Sequence, residues 1–209
     1  MKGRWLLVFV ALAGLAMEAC APSRGPTVSF TAGVRWRLTQ PGQQTSGRYA
    51  THWVEIERRG TQFRFQAHAE MEPGRLALVG LTPLGSQGIA LVLEGDNLEV
   101  TRLPFYRMPI SPPSLLAAYQ WMMLPPEALA AQLEMAGLTL VENEAVPRIR
   151  RFYRGKREVA RVVYEDEDPW QGRVILHNFS RAYRLIIDTK DWGSFQPEGP
   201  NQSLPGDGL

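Results

Sequence analysis

The chain has little cysteine and little histidine. Cys20 is the single cysteine among 209 residues. One cysteine cannot form an internal disulfide, so Cys20 is either a free thiol or a modified residue. The three histidines do not fall in a metal-binding spacing such as His-Glu-x-x-His. The sequence therefore predicts neither a disulfide framework nor a metal site of that type.

The motifs of common enzyme classes are also missing. The sequence contains no Gly-x-Ser-x-Gly elbow and no P-loop. The acidic run at 165–168 lacks the alternating ligands and the glycine of a calcium loop, so it predicts a solvated acidic turn. Without the first 19 residues, 21 basic and 20 acidic residues are left, a balance that does not favour nucleic-acid binding. We expect no enzymatic activity, no cofactor, no metal and no nucleic-acid partner.

The N-terminal segment has the pattern of a targeting signal. Lys2 and Arg4 precede an apolar run from Trp5 to Met17, which is shorter than the roughly 18 residues that a spanning helix needs. The lone Cys20 follows this run. The pattern predicts a lipoprotein signal peptide over residues 1–19, cleaved before Cys20, which then carries the lipid. The alternatives are an ordinary secretory signal with a chance cysteine, and a tethering helix.

Composition divides the rest of the chain into three parts. Residues 20–32 are rich in Ser, Pro, Gly and Thr and predict a lipidated flexible tether. Residues 33–192 are long enough for one domain with a sizeable core. Residues 193–209 predict a polar, disordered tail. In bacterial lipoprotein sorting, Asp directly after the lipidated cysteine retains the protein at the inner membrane. This chain has Ala21 at that position, so we predict that the protein is located at the periplasmic face of the outer membrane. The short tether is then expected to keep the domain close to that membrane.

Period-two patterns dominate the domain. The clearest runs along one face of a predicted half-buried strand through Phe63, Phe65, Ala67, Ala69 and Met71. Similar patterns recur on both sides of a central helical region. About ten or eleven antiparallel strands exceed what a flat open sheet accommodates. We therefore predict a mostly β (α+β) fold, in which a strongly curled antiparallel sheet forms a half-open barrel and a helical insert covers its concave face.

The centre of the chain changes character. Leu103–Pro113 contains four prolines, which lack the amide donor of a central strand. Ser114–Met123 then predicts a helix. A second helix begins at Pro126, which suits the first helical position, and ends near Gly137, which suits a left-handed stop.

Three ordered segments resemble the LolB family of outer-membrane lipoproteins. The first is Arg75-Leu76-Ala77-Leu78 followed by Thr82-Pro83-Leu84-Gly85-Ser86, with Thr82 where the family loop has Asn. The second is Met108-Pro109-Ile110 followed by the pair Gln120-Trp121. The third is Leu185-Ile186-Ile187-Asp188 with Asp191-Trp192. Their order and approximate spacing agree with that family over most of residues 34–192, at low overall identity.

The resemblance implies a protein that receives acylated cargo and places it in the outer membrane. The cargo would be a lipid or an acylated protein, and a periplasmic LolA-like carrier would supply it to a monomeric acceptor. Leu84 matches the leucine that protrudes from the family's loop and inserts into the membrane. The alternative from the residues alone is that Leu84 packs beneath its own turn.

An apolar cavity is the second implied feature. Its candidate lining comes from sheet, loop and helices: Trp36, Phe63, Phe65, Met71, Leu91, Met108, Ile110, Trp121, Met122 and Leu133. The same residues could instead form a filled core. In that alternative, the protein would be a structural or assembly lipoprotein of the cell envelope. A lipid-processing enzyme is a more distant alternative. The cluster Arg148, Arg150, Arg151 and Arg154 is expected on the outer face of a strand. The alternative for this cluster is contact with anionic lipid head groups.

Overall fold

The computed structural model describes residues 25–31, 33–42, 47–143, 145 and 147–195. The predicted signal peptide, Cys20 and most of the predicted polar tail lie outside these residues. The described chain is mostly β, with a ten-stranded antiparallel sheet, a two-stranded sheet and two helices. None of the helices in the described ranges is long and apolar enough to cross a membrane.

The large sheet consists of two five-stranded meanders placed side by side. Its order is β7-β6-β5-β4-β3-β12-β11-β10-β9-β8, and every neighbouring pair is antiparallel. The first meander contains β3 (Arg48–Arg58), β4 (Thr61–Glu72), β5 (Arg75–Leu81), β6 (Gln87–Glu94) and β7 (Asn97–Arg102). The second contains β8 (Thr139–Asn143), β9 (Arg148–Arg154), β10 (Arg157–Tyr164), β11 (Arg173–Asn178) and β12 (Tyr183–Ser194).

The two meanders meet along their first and last strands. The register pairs Tyr183 of β12 with Arg58 of β3 and Ser194 with Arg48. The strands β7 and β8 are therefore the two edges of the sheet, and the helices α1 (Pro112–Met123) and α2 (Pro126–Met135) connect them in sequence.

The alternation predicted for β4 is confirmed. Phe65, Ala67, Ala69 and Met71 are buried, whereas the residues between them are exposed or half-buried. Both predicted helices are confirmed as well, and Gly137 has the expected positive φ of 65° just beyond α2. Positive φ favours glycine because it has no Cβ to clash with the carbonyl oxygen.

The predicted tether is shorter than expected. Thr27–Thr31 forms β1, which pairs with β2 (Val34–Arg37) in the small sheet. Phe30 is buried, and its ring centroid lies 4.5 Å from that of Trp121 in α1. The prediction of a flexible tether up to residue 32 was therefore wrong for this stretch, because burial of Phe30 and strand pairing stabilise it. At the other end, β12 continues to Ser194, two residues into the predicted tail.

Candidate functional site

Leu84 lies at the tip of the loop between β5 and β6. Its side chain is 94% exposed. The loop itself is ordered by hydrogen bonds, because Thr82 N donates to Ser86 O at 2.8 Å and Gly85 N donates to Thr82 O at 2.9 Å. Gly85 accommodates a φ of 79° in this turn. The loop therefore holds an apolar side chain away from the core, where it contributes nothing to packing.

Most of the cavity candidates come together between the sheet and α1. Trp36, Phe65, Met71, Leu91, Ile110, Trp121, Met122 and Leu133 are buried, while Phe63 and Met108 are half-buried. The rings of Trp121 and Phe152 stack with centroids 4.0 Å apart, and Trp36 meets Trp121 edge to face at 5.3 Å. These side chains pack against one another in the state described here.

A segment without helix or strand structure, residues 103–111, covers the β3–β4 side of this interior. The Tyr106 ring packs edge to face on Phe63 and Phe65, with centroid distances of 5.2 and 6.0 Å. Arg58 donates a hydrogen bond to the Pro109 carbonyl at 2.6 Å. Phe105 in the same segment points outward and is 72% exposed. No sequence motif singled out Phe105.

Helix α1 is fixed to the sheet by buried polar contacts that the sequence analysis missed. Gln120 donates to Thr39 O at 2.6 Å and accepts a hydrogen bond from Trp36 Nε1 at 3.2 Å. His52 of β3 is fully buried, with Nε2 3.1 Å from the Tyr119 hydroxyl and Nδ1 3.0 Å from Thr189 Oγ1. Desolvation, and to a smaller extent the charge of His68, lowers the pKa of His52 to about 4. His52 is therefore neutral at pH 7.

The prediction that the β9 arginines lie on an outer face was wrong for Arg150. This residue is 1% exposed and points inward with Phe152. Its Nη1 donates to the carbonyls of Trp121 and Leu124 at 2.9 and 2.8 Å, and its Nε pairs with Glu142 at 3.0 Å. The carbonyls at the end of α1 need donors and favour a nearby cation, which explains why an arginine is buried here.

A cavity of about 800 Å³ lies at the end of the sheet where β3 turns into β4 and β11 turns into β12. Arg58, Arg59, His177, Phe179 and Arg184 are among its lining residues. Desolvation, and then the charges of Arg184 and Arg161, lower the pKa of His177. Cations, the Glu57 carboxylate paired with Arg184 and an aromatic ring therefore lie together at this position, outside the predicted apolar interior.

The chain leaves the domain toward Cys20 at the opposite end of the sheet. Pro26 O accepts a hydrogen bond from Leu38 N, and Gly25 lies against the Asp96 carboxylate in the β6–β7 turn. Leu84 is at the other end of β6, about 30 Å away at the rise of an extended strand. The predicted tether therefore starts from the end of the sheet opposite to Leu84, and residues 20–24 can span at most about 18 Å.

Comparison with known proteins gives a family without an assigned activity. No curated protein matches the sequence. Among solved structures, a DUF1329 family protein from Desulfovibrio piger ATCC 29098 is similar, with 10% sequence identity and a TM-score of 0.29. The similarity covers 77% of this chain and 88% of that protein, and a TM-score this low supports no inference about fold or function. The model of one family, described as "Protein of unknown function (DUF3261)", matches residues 49–191, which is more than half of the chain, so the protein belongs to that family.

Proposed function

We propose that this protein is a lipid-anchored, non-enzymatic lipoprotein that accepts an acylated or amphipathic cargo and delivers it into the outer membrane. The observation that carries the proposal is the 94% exposure of Leu84 on an ordered loop. Exposing a leucine at a loop tip is unfavourable in water and favourable at a bilayer interface. The lipoprotein signal with Cys20, and the ordered resemblance to LolB, support the same proposal.

A half-open barrel is the finer architecture we propose for cargo binding. Helix α1 has 12 residues and is about 18 Å long. It contacts β6 near one edge of the sheet and β9 near the other, which would lie about 33 Å apart in a flat sheet. Bending of the sheet around the helix would allow one short helix to reach both strands.

Cargo binding then requires the apolar interior to open. We propose that residues 103–111 act as the movable cover, because Tyr106 and the Arg58–Pro109 contact attach this segment without helix or strand pairing. Its displacement would uncover Phe63 and Phe65. Each acyl methylene buried there would contribute about 0.8 kcal/mol. Met108 and Met122 suit a lining that adapts to cargo of variable shape.

The first experiment asks whether the protein binds lipid. The chain from Ala21 onward is purified and examined by native mass spectrometry for co-purifying lipid, and then for uptake of a fluorescent fatty acid. We expect bound lipid or saturable uptake. Absence of both would refute the carrier function, and hydrolysis of an added lipid would indicate an enzyme instead.

The second experiment separates uptake from delivery. Leu84→Glu is expected to leave fatty-acid uptake unchanged and to slow transfer to liposomes, because a carboxylate at the loop tip opposes insertion. Leu84→Met is the matched control and should keep near-normal transfer. Equal loss of uptake and delivery in Leu84→Glu would show that Leu84 is structural.

A specific observation favours the second candidate, a structural or assembly lipoprotein. The stacked Trp121–Phe152 pair and the fully buried Trp36 occupy the space where cargo would lie. If the interior never opens, the domain is a filled scaffold. The uptake experiment decides between the two, since a scaffold takes up no fatty acid.

A further inference from the structure

Six of the segments that connect strands or helices lie at one end of the ten-stranded sheet. Because every neighbouring strand pair is antiparallel, alternate turns lie at the same end. We call this the basic end and define it as residues 58–61, 82–86, 103–111, 136–138, 154–157 and 179–182. It therefore includes the Leu84 loop and the segment that carries Phe105.

The basic end contains seven cationic residues and no acidic one: Arg58, Arg59, Arg107, Arg154, Lys156, Arg157 and Arg181. The nearest carboxylates are compensated, because Glu57 pairs with Arg184 at 2.8 Å and Glu158 pairs with Arg161 at 2.7 Å. Three of the four turns at the opposite end, residues 72–75, 94–97 and 164–173, carry seven carboxylates and two arginines, and we call this end the acidic end. The chain is nearly neutral as a whole but strongly polarised along its strands.

Exposed apolar side chains occur at the same end as the cations. The three largest exposures among the large apolar residues described are Leu84 at 94%, Phe105 at 72% and Met135 at 64%. Met135 is the last residue of α2, directly before the 136–138 turn, and Phe179 adds a fourth side chain at 46%. Basic residues around protruding apolar side chains are typical of surfaces that bind anionic membranes.

We propose that the basic end docks on the anionic surface of the bilayer that holds Cys20, with Leu84 and Phe105 entering the interface. Charge complementarity identifies the partner, because an anionic surface attracts the seven cations and repels the carboxylates of the far end. The proposal rests on the anchor of the proposed function but not on cargo uptake.

The exit point of the tether sets the docked orientation. The tether leaves from the acidic end, and residues 20–24 raise that end by at most about 18 Å above the bilayer. The strands extend about 30 Å from there to the Leu84 loop. With the basic end on the bilayer, the strands therefore incline by no more than roughly 40° to its surface.

The test attaches a dye to one end of the sheet or the other, in the full-length protein with its lipid anchor. The wild-type Cys20 is kept, because its thiol carries the lipid in the anchored protein and cannot react with the dye. One introduced cysteine is then the labelling site, in Leu84→Cys or Phe105→Cys at the basic end and in Glu167→Cys at the acidic end. Each protein is reconstituted in vesicles of phosphatidylcholine alone or with 30 mol% phosphatidylglycerol, and quenching by brominated lipid is measured. We expect at least roughly 25-fold more docked basic ends on the anionic vesicles, the effect of two cations at about fivefold each. We also expect suppression by 0.5 M salt and little quenching at position 167.

Paired charge reversals test whether position matters beyond net charge. Arg107→Glu with Lys156→Glu should reduce docking at least roughly 25-fold, since each cation near an anionic surface contributes about fivefold. Arg75→Glu with Lys190→Glu changes the net charge equally, away from the basic end, and should leave most docking intact. Equal effects of the two pairs, or a dye at position 84 that is never quenched, would overturn the proposal. Fatty-acid uptake measured in the same variants separates this failure from failure of the carrier function.

Discussion

His52 makes the attachment of α1 to the sheet sensitive to acid. The neutral imidazole is fully buried and lies between Tyr119 of α1 and Thr189 of β12. Burial raises the pKa of Tyr119, so its hydroxyl stays protonated and can donate to Nε2, which leaves Nδ1–H to donate to Thr189. Protonation of the ring would remove the acceptor for Tyr119 and place a charge in the core.

The size of the effect follows from the pKa difference. The pKa of His52 falls from 6.5 to about 4 on folding. A histidine with a lowered folded pKa stabilises the fold above pH 6.5, and this contribution is lost as the pH falls toward 4. A difference of 2.5 units corresponds to about 3 kcal/mol of the free energy of unfolding.

Urea unfolding of the wild type and His52→Gln, at pH values from 7.5 to 4.5, measures this contribution. Glutamine also bears a donor and an acceptor but does not titrate, so the difference in unfolding free energy between the two proteins should shrink steadily below pH 6.5. The control His68→Gln should keep most of the pH dependence, because burial is the main cause of the His52 shift. Parallel curves for wild type and His52→Gln between pH 6.5 and 4.5 would refute the reasoning.

Two further substitutions test the core and its cover. Arg150→Ala should destabilise the fold by about 3 kcal/mol, because it leaves the buried carbonyls of Trp121 and Leu124 without this donor and removes one of the two arginines that pair with Glu142. In urea unfolding, Arg151→Ala should stay within about 0.5 kcal/mol of wild type. Gly88→Ala would place a methyl 2.3 Å from the Tyr106 ring, so it should loosen the segment that carries Tyr106 and speed both its proteolysis and fatty-acid uptake. Gly42→Ala, which meets nothing within 4 Å, should do neither, and unchanged proteolysis of the Gly88 variant would contradict the packing described.

Local pattern was sufficient for most elements of this fold. Alternation along β4 predicted its buried face, because successive side chains of a strand point to opposite sides. Pro126 and Gly137 predicted the bounds of α2. Proline restricts φ to the helical value at the start of the helix, and glycine allows the positive φ that follows its end. These features depend on residues within a few positions of each other.

Prediction failed where a distant partner decided the outcome. Arg150 is buried because the end of α1, 26 and 29 residues earlier, presents carbonyls to it. Phe30 belongs to the core because Trp121 receives it, although its neighbours in sequence are typical of a tether. Neither partnership produces a local pattern.

The sequence by itself determined the class of fold, the helical insert and Leu84 as a residue of interest, and it predicts a lipid anchor at Cys20. Only the tertiary structure decided that the seven cations and the most exposed apolar side chains share one end of the sheet, and that the tether leaves from the other. The physical reason is topological. Antiparallel pairing sends alternate turns to opposite ends, so charges that cancel along the chain separate in space.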